Sequence, residues 1–168
     1  MSEKPIIFSS EMVKSILEGR KTQTRRVIKQ QENHAIDNCP FGKPGDTLWV
    51  REKFLMHYPE DHSVLYVDDM EKAGFKQSEW CWKPSIHMPR WASRINLVIK
   101  SVRVERLWYI SENDAIAEGA TPSCVGDDLD YLKYRSGYMF LWDSINAKRG
   151  YGWDKNPWVW VIEFEVMK

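Results

Sequence analysis

The stretch Gly19-Arg20-Lys21-Thr22-Gln23-Thr24-Arg25-Arg26 decides how the rest of the chain is read. Upstream of it, Lys4 to Phe8 reads as a short strand. Ser9 or Ser10 can then cap a helix whose Met12, Val13, Ile16 and Leu17 form an apolar stripe at helical spacing. Gly19 falls where that helix needs a left-handed residue to stop. Thr22 to Ile28, rich in Thr and Val, predicts a strand. Arg20, Lys21, Arg25, Arg26 and Lys29 put five cations within ten residues, with Thr22 and Thr24 threaded between them. A strand edge defended by Lys and Arg accounts for the charge alone. A Lys beside a Thr hydroxyl carries a second meaning. Burial or neighbouring cations lower the amine's pKa, so it can take the hydroxyl proton and leave a nucleophile for an acyl carbon. On a regular strand Lys21 and Thr24 would face opposite sides, so the pairing requires Lys21 to lie in the turn.

Further along, Gln30 to Gly42 is polar and reads as loop. Lys43-Pro44-Gly45-Asp46 is a turn into a strand over Thr47 to Glu52, and Val64 to Val67 is another strand. Asp68 to Pro89 is irregular and Trp-bearing, an excursion from the core fold. Ile95 to Leu107 is the longest strand candidate. Its apolar residues are odd-numbered at Ile95, Leu97 and Ile99, then even-numbered at Val102 and Val104. That switch predicts a bulge or bend near Lys100-Ser101. Ser111-Glu112-Asn113-Asp114 matches a capping box opening a helix through Glu118, with Gly119 as its stop. Ser136 to Ile145 predicts a second helix with Phe140, Leu141 and Ile145 on its apolar side, and Trp158 to Val166 a central terminal strand. The strands are scattered without a βαβ rhythm, so the expected architecture is α+β: a small mixed barrel with peripheral helices and inserted loops.

The 168 residues favour one domain over 1–168. Lys plus Arg and Asp plus Glu are 24 each, so any nucleic-acid role must rest on a local patch. Cys39, Cys81 and Cys124 are odd in number and widely spaced, which fits a reducing compartment and a cytoplasmic protein. No signal peptide or membrane span is expected. Cys39-Pro40 with His34 is too sparse for a metal, and neither metal nor cofactor is assigned. Nine Trp, seven Tyr and six Phe can fill a core or stack on a nucleobase.

Gly19-x-Lys21-x-x-Thr24-x-Arg26 resembles the signature of the ASCH family, GxKxxExR, a PUA-like barrel family linked to RNA and modified nucleosides. The element order fits over most of the chain, with about 68–89 and 122–153 as additions, as in the larger ASCH proteins of phages and prophages. Thr24 stands where the general signature has an acidic residue. That variant resembles the small bacterial ASCH amidohydrolases that convert N(4)-acetylcytidine to cytidine and acetate with a Lys, a Thr and a Glu. The resemblance implies Lys21 and Thr24 as the first two and Glu118, on the short helix after the long strand, as the third. Thr24 would attack the acyl carbonyl with Lys21 as base, Glu118 orienting the Lys or managing the proton on the leaving nitrogen, and Arg26 or backbone amides near Gly19 stabilising the oxyanion. In a variant, Lys21 or Glu118 activates a water and Thr24 only positions the substrate.

Two further segments carry candidate chemistry. Ser85 to Arg94 combines His87, Arg90, Trp91 and Arg94, which can stack on a base or hold a phosphate, or simply pack as an ordered loop. Lys148-Arg149-Gly150-Tyr151-Gly152 reads as a tight turn. Substrate-binding expectations therefore fall on Arg25, Arg26, His87, Arg90 and Trp91. Three functions follow: an amidohydrolase acting on a modified cytosine nucleoside, a module that binds RNA or a modified base without chemistry, or a phage-encoded interaction protein. The enzyme predicts a pocket where Lys21, Thr24 and Glu118 converge. The binder predicts one positive groove joining the basic strand to the His87 to Arg94 loop.

Overall fold

Alternation along the last strand sets the architecture. In the computed structural model, which describes residues 2–29, 39–58, 63–123 and 133–167, β7 (Trp158–Val166) turns Trp160, Ile162 and Phe164 to one apolar cluster and Val159 and Val161 to another. Both faces are covered, which is why its sequence is almost continuously apolar. Flanking it are β6 (Asn96–Arg106) and β2 (Gln23–Val27), both antiparallel. Beyond β6 comes β3 (Thr47–Arg51), antiparallel to it, and then β1 (Glu3–Ile7), parallel to β3. The five-stranded order is β1-β3-β6-β7-β2. Edge strands β1 and β2 are not paired with each other, so the mixed sheet does not close into a hydrogen-bonded barrel.

The first cluster gathers Phe8, Leu48, Val50, Leu97 and Ile99 under Val13 and Ile16 of helix α1 (Ser10–Leu17), which Ser9 caps through the Met12 amide. The bulge expected in β6 lies between Ile99 and Ser101. Because of it, Ile95, Leu97, Ile99, Val102 and Val104 all pack on this same cluster despite their change of parity. A separate hairpin of β4 (Phe54–Tyr58) and β5 (Ser63–Tyr66) leads into a short helix α2 (Val67–Lys72). β4 and α2 were not expected. Buried Phe54, Met88 and Ala92 bind the hairpin to the segment that follows α2.

The second cluster forms beneath helices α3 (Glu112–Ala117) and α4 (Tyr134–Asn146). The capping box opening α3 is present, with the Ser111 hydroxyl accepting from the Asp114 amide and Asp114 accepting from the Ser111 amide. The buried face of α4 is Tyr138, Trp142 and Asn146. Phe140 and Ile145, expected on the apolar side, are 52% and 39% exposed. Tyr138, Trp142 and Asn146 dock this helix, with the expected Leu141 packed beside them. The expected loop over Gln30 to Gly42 lies outside the described residues from 30 to 38.

Candidate active site

Three chain turns meet at Lys21. Gly19, at φ +73°, ends α1, after which the amides of Arg20 and Lys21 both donate to the Ser15 carbonyl at 2.9 and 3.0 Å. The Thr22 amide donates to the Ala117 carbonyl at 2.8 Å, tying the start of β2 to the end of α3. Gly119, at φ +77°, lets α3 approach closely: a Cβ there would lie 3.0 Å from Ser15 Cβ and 3.2 Å from Lys21 Cβ. Lys21 therefore sits before the strand, as the Lys–Thr pairing required, and is 1% exposed.

The pairing itself is not formed. Lys21 Nζ donates to the Gln23 carbonyl at 2.7 Å, the Glu118 carbonyl at 2.8 Å and Glu118 Oε2 at 3.0 Å. Three acceptors match three ammonium protons, and none belongs to Thr24. Burial pushes Lys21 below its ordinary 10.5, Glu118 pulls it back up, and Arg26 and Arg25 lower it further. Glu118, the C-cap of α3 and 3% exposed, holds its other oxygen 3.2 Å from Arg25 Nη1. Arg25 continues outward to Glu105 at 3.1 Å and Asp114 at 3.5 Å. Arg103 joins the same carboxylates at 3.1 and 3.0 Å and also reaches Gln23 and Glu163.

Beside this network lies a cavity of about 480 Å³, along the free edge of β2 and between β1 and α4. It occupies the gap where the sheet does not close. Arg26 Nη2 spans that gap to the Ile7 carbonyl at 2.7 Å. Thr24, Glu118 and Tyr138 line the cavity, and Lys21 lies behind Glu118 rather than on the wall. The Thr24 side chain makes no hydrogen bond among the described residues, although the residue is only 2% exposed. Tyr138 is held well above its ordinary 10 by burial and by the charge of Glu118, so it presents an O–H donor at neutral pH.

Arg25 and Arg26 also line the cavity, whereas His87, Arg90 and Trp91 do not. His87 is exposed, and Trp91 is 48% exposed in a neighbouring turn. Arg90 is held by Glu3 at 2.6 Å and Asn96 at 3.0 Å, and Arg94 by Glu52 at 3.0 Å and Asp69 at 2.8 Å. Carboxylates thus neutralise both arginines of the loop, and it adds no free charge to a groove. The sequence reading missed Arg51, Tyr138, Asn146 and Arg149, which all line the cavity. Arg51 arrives through the parallel β1–β3 pairing, opposite Ile7, a contact with no local sequence signal.

No family model matches the chain, and no curated protein matches it in sequence. Among solved structures it is similar to an ASCH domain from Lactobacillus crispatus JV V101, at 12% identity and a TM-score of 0.51, covering 98% of this chain and 79% of that one. It is also similar to an Enterococcus faecalis V583 protein of the family DUF984, at 14% identity and a TM-score of 0.50, covering 99% and 80%. At such identities the likeness speaks to fold alone, and the fold it identifies, along nearly the whole chain, is that of the ASCH domain.

Proposed function

We propose that the protein is an amidohydrolase that removes the acyl group from N(4)-acylated cytosine nucleosides of the N(4)-acetylcytidine kind. The observation that carries this reading is that Thr24 and Glu118 line one cavity, with the Glu118 carboxylate held by Lys21 and Arg25. The cavity volume falls within the range of small-molecule sites. Neutralised Arg90 and Arg94 argue against the extended groove that a plain RNA-binding module would need.

In this reading Thr24 Oγ bonds to the acyl carbon and its proton passes to the Glu118 carboxylate. That proton then goes to the cytosine N4 as the C–N bond breaks. Water attacks the threonyl ester, giving the free acid and restoring Thr24. The Tyr138 O–H is the wall's donor for the oxyanion. Lys21 is a positioning residue here: its ammonium donates to Glu118 Oε2 and to the Glu118 carbonyl, and so orients the carboxylate that carries the travelling proton.

The test is hydrolysis of N(4)-acetylcytidine, followed by the ultraviolet change on conversion to cytidine. Thr24→Val and Glu118→Gln, with unchanged circular dichroism, are each expected to lower kcat about 100-fold or more. Lys21→Met is expected to lower kcat and alter its pH profile while the KM changes less. Full turnover by Thr24→Val would remove the threonine from the chemistry. A folded parent inert towards N(4)-acetylcytidine and longer acyl analogues would overturn the reaction itself.

A further inference from the structure

The cavity carries more positive charge than the proposed chemistry uses. Its lining includes Arg25, Arg26, Lys29, Arg51 and Arg149 against the single carboxylate of Glu118. Arg25 is engaged by Glu118, Glu105 and Asp114. Among the described residues no carboxylate forms an ion pair with any of the other four. This excess occurs in a chain whose formal net charge is zero, so it is local to the cavity.

Two of these cations are half-buried and incompletely bonded. Arg26 donates to the Ile7 carbonyl at 2.7 Å and lies 5.0 Å from the Phe8 ring centre. Arg51 pairs across β1 with the same Ile7 and lies 4.7 Å from the Trp49 ring. The Nε of each is buried without a hydrogen-bond partner. Buried guanidinium N–H groups without acceptors are costly unless a ligand supplies them. Burial, and then the charge of Arg149, push Arg26 below its ordinary value against the pull of Glu118 and Tyr138, so an incoming anion relieves a real cost. At the rim, Lys29 follows β2, and Arg149 ends a turn after α4 that is pinned by the Trp142 indole donating to the Tyr151 carbonyl at 2.7 Å.

We propose that Arg26 and Arg51, with Lys29 and Arg149 at the rim, form a phosphate subsite, so that the ligand of this cavity is a cytosine mononucleotide rather than a free nucleoside. The identity of the base rests on the amidohydrolase reading; the phosphate seat does not. Guanidinium pairs match phosphate oxygens in planar, bidentate fashion, which suits a terminal phosphate held at one point. A cavity of this size, with Arg90 and Arg94 outside its lining and held by carboxylates, fits one nucleotide better than a strand.

Calorimetric titration with cytidine 5′-monophosphate, cytidine and inorganic phosphate tests this. The mononucleotide is expected to bind about tenfold or more tightly than cytidine, with affinity falling as salt rises. That preference should collapse towards unity in Arg51→Gln and fall severalfold in Arg149→Glu, an exposed change that spares folding. Phosphate binding lost in Arg51→Gln, in a protein inert towards N(4)-acetylcytidine, would uphold the subsite while removing the amidohydrolase. Turnover of N(4)-acetylcytidine with equal affinity for nucleotide and nucleoside would overturn the subsite and leave the enzyme standing. A short oligoribonucleotide binding far more tightly than the mononucleotide would overturn the mononucleotide in favour of RNA.

Discussion

Arg25 and Arg26 are neighbours on one strand, yet they inhabit opposite electrostatic worlds. Strand alternation sends Arg25 into a network with Glu118, Glu105 and Asp114, its side chain fully shielded and its charge answered. Arg26 turns to the gap between the sheet edges, where it donates to a carbonyl and lies against an aromatic ring, feels Glu118 and Arg149 only at a distance, and forms no ion pair among the described residues. The first arrangement holds the fold and fixes Glu118; the second leaves charge available to a ligand. Adjacent residues of one type thus divide, according to which face they occupy, into a cation answered by carboxylates and a cation that forms no ion pair among the described residues.

The largest effect that would break this comparison comes from removing the carboxylate both sides share. Glu118→Ala strands Lys21 and Arg25 in a buried site and should destabilise the protein by about 3–5 kcal/mol, read from its urea unfolding midpoint. Arg25→Gln and Arg26→Gln compare the two faces directly. The first should cost about 3 kcal/mol, since it breaks a buried pair. The second should cost about 1 kcal/mol or less while removing the preference for phosphate. Equal destabilisation by the two would erase the distinction between the faces.

Acid sharpens the same contrast. Burial alone would raise Asp114, but hydrogen bonds from Ser111 and then the charge of Arg25 hold it below its ordinary 3.8. A folded-state pKa lower than the unfolded one contributes stability that is present above about 3.8 and lost as pH falls through the folded value. Asp114→Asn should therefore flatten the acid limb of a stability–pH curve; an unchanged limb would contradict its place in the network. On the cavity side the titrating partner is the ligand. A terminal phosphate gains its second charge near about pH 6, so mononucleotide affinity should rise through that range. The smallest effect belongs to the surface pair: Arg90→Gln should alter stability by under about 1 kcal/mol and nucleotide affinity not at all.

Where structure is locally encoded, the sequence was a good guide. The parity switch at Lys100-Ser101 showed the bulge in β6, and Ser111 with Asp114 showed the start of α3, because both patterns are complete within a few residues. The expectation that Glu118 would join Lys21, 97 positions away, came from the resemblance to the ASCH amidohydrolases and the short helix after the long strand, not from the signature itself. What stayed hidden depends on distant chain segments. The docking face of α4 is set by a surface assembled from β2, β7 and the turn after β6, so Tyr138, Trp142 and Asn146 were passed over for Phe140 and Ile145, while Leu141 packs there as expected. Arg51 reads as the outward residue of an alternating strand until β1 is laid beside it. The turn holding Arg149 likewise gives no sign of the cavity it borders.

The most direct test of the whole account is steady-state hydrolysis of N(4)-acetylcytidine beside its 5′-monophosphate, measured on the same preparation. The account predicts cytidine from the first and cytidine 5′-monophosphate from the second, with similar kcat and a KM about tenfold or more lower for the nucleotide. A folded protein that hydrolyses neither would contradict it.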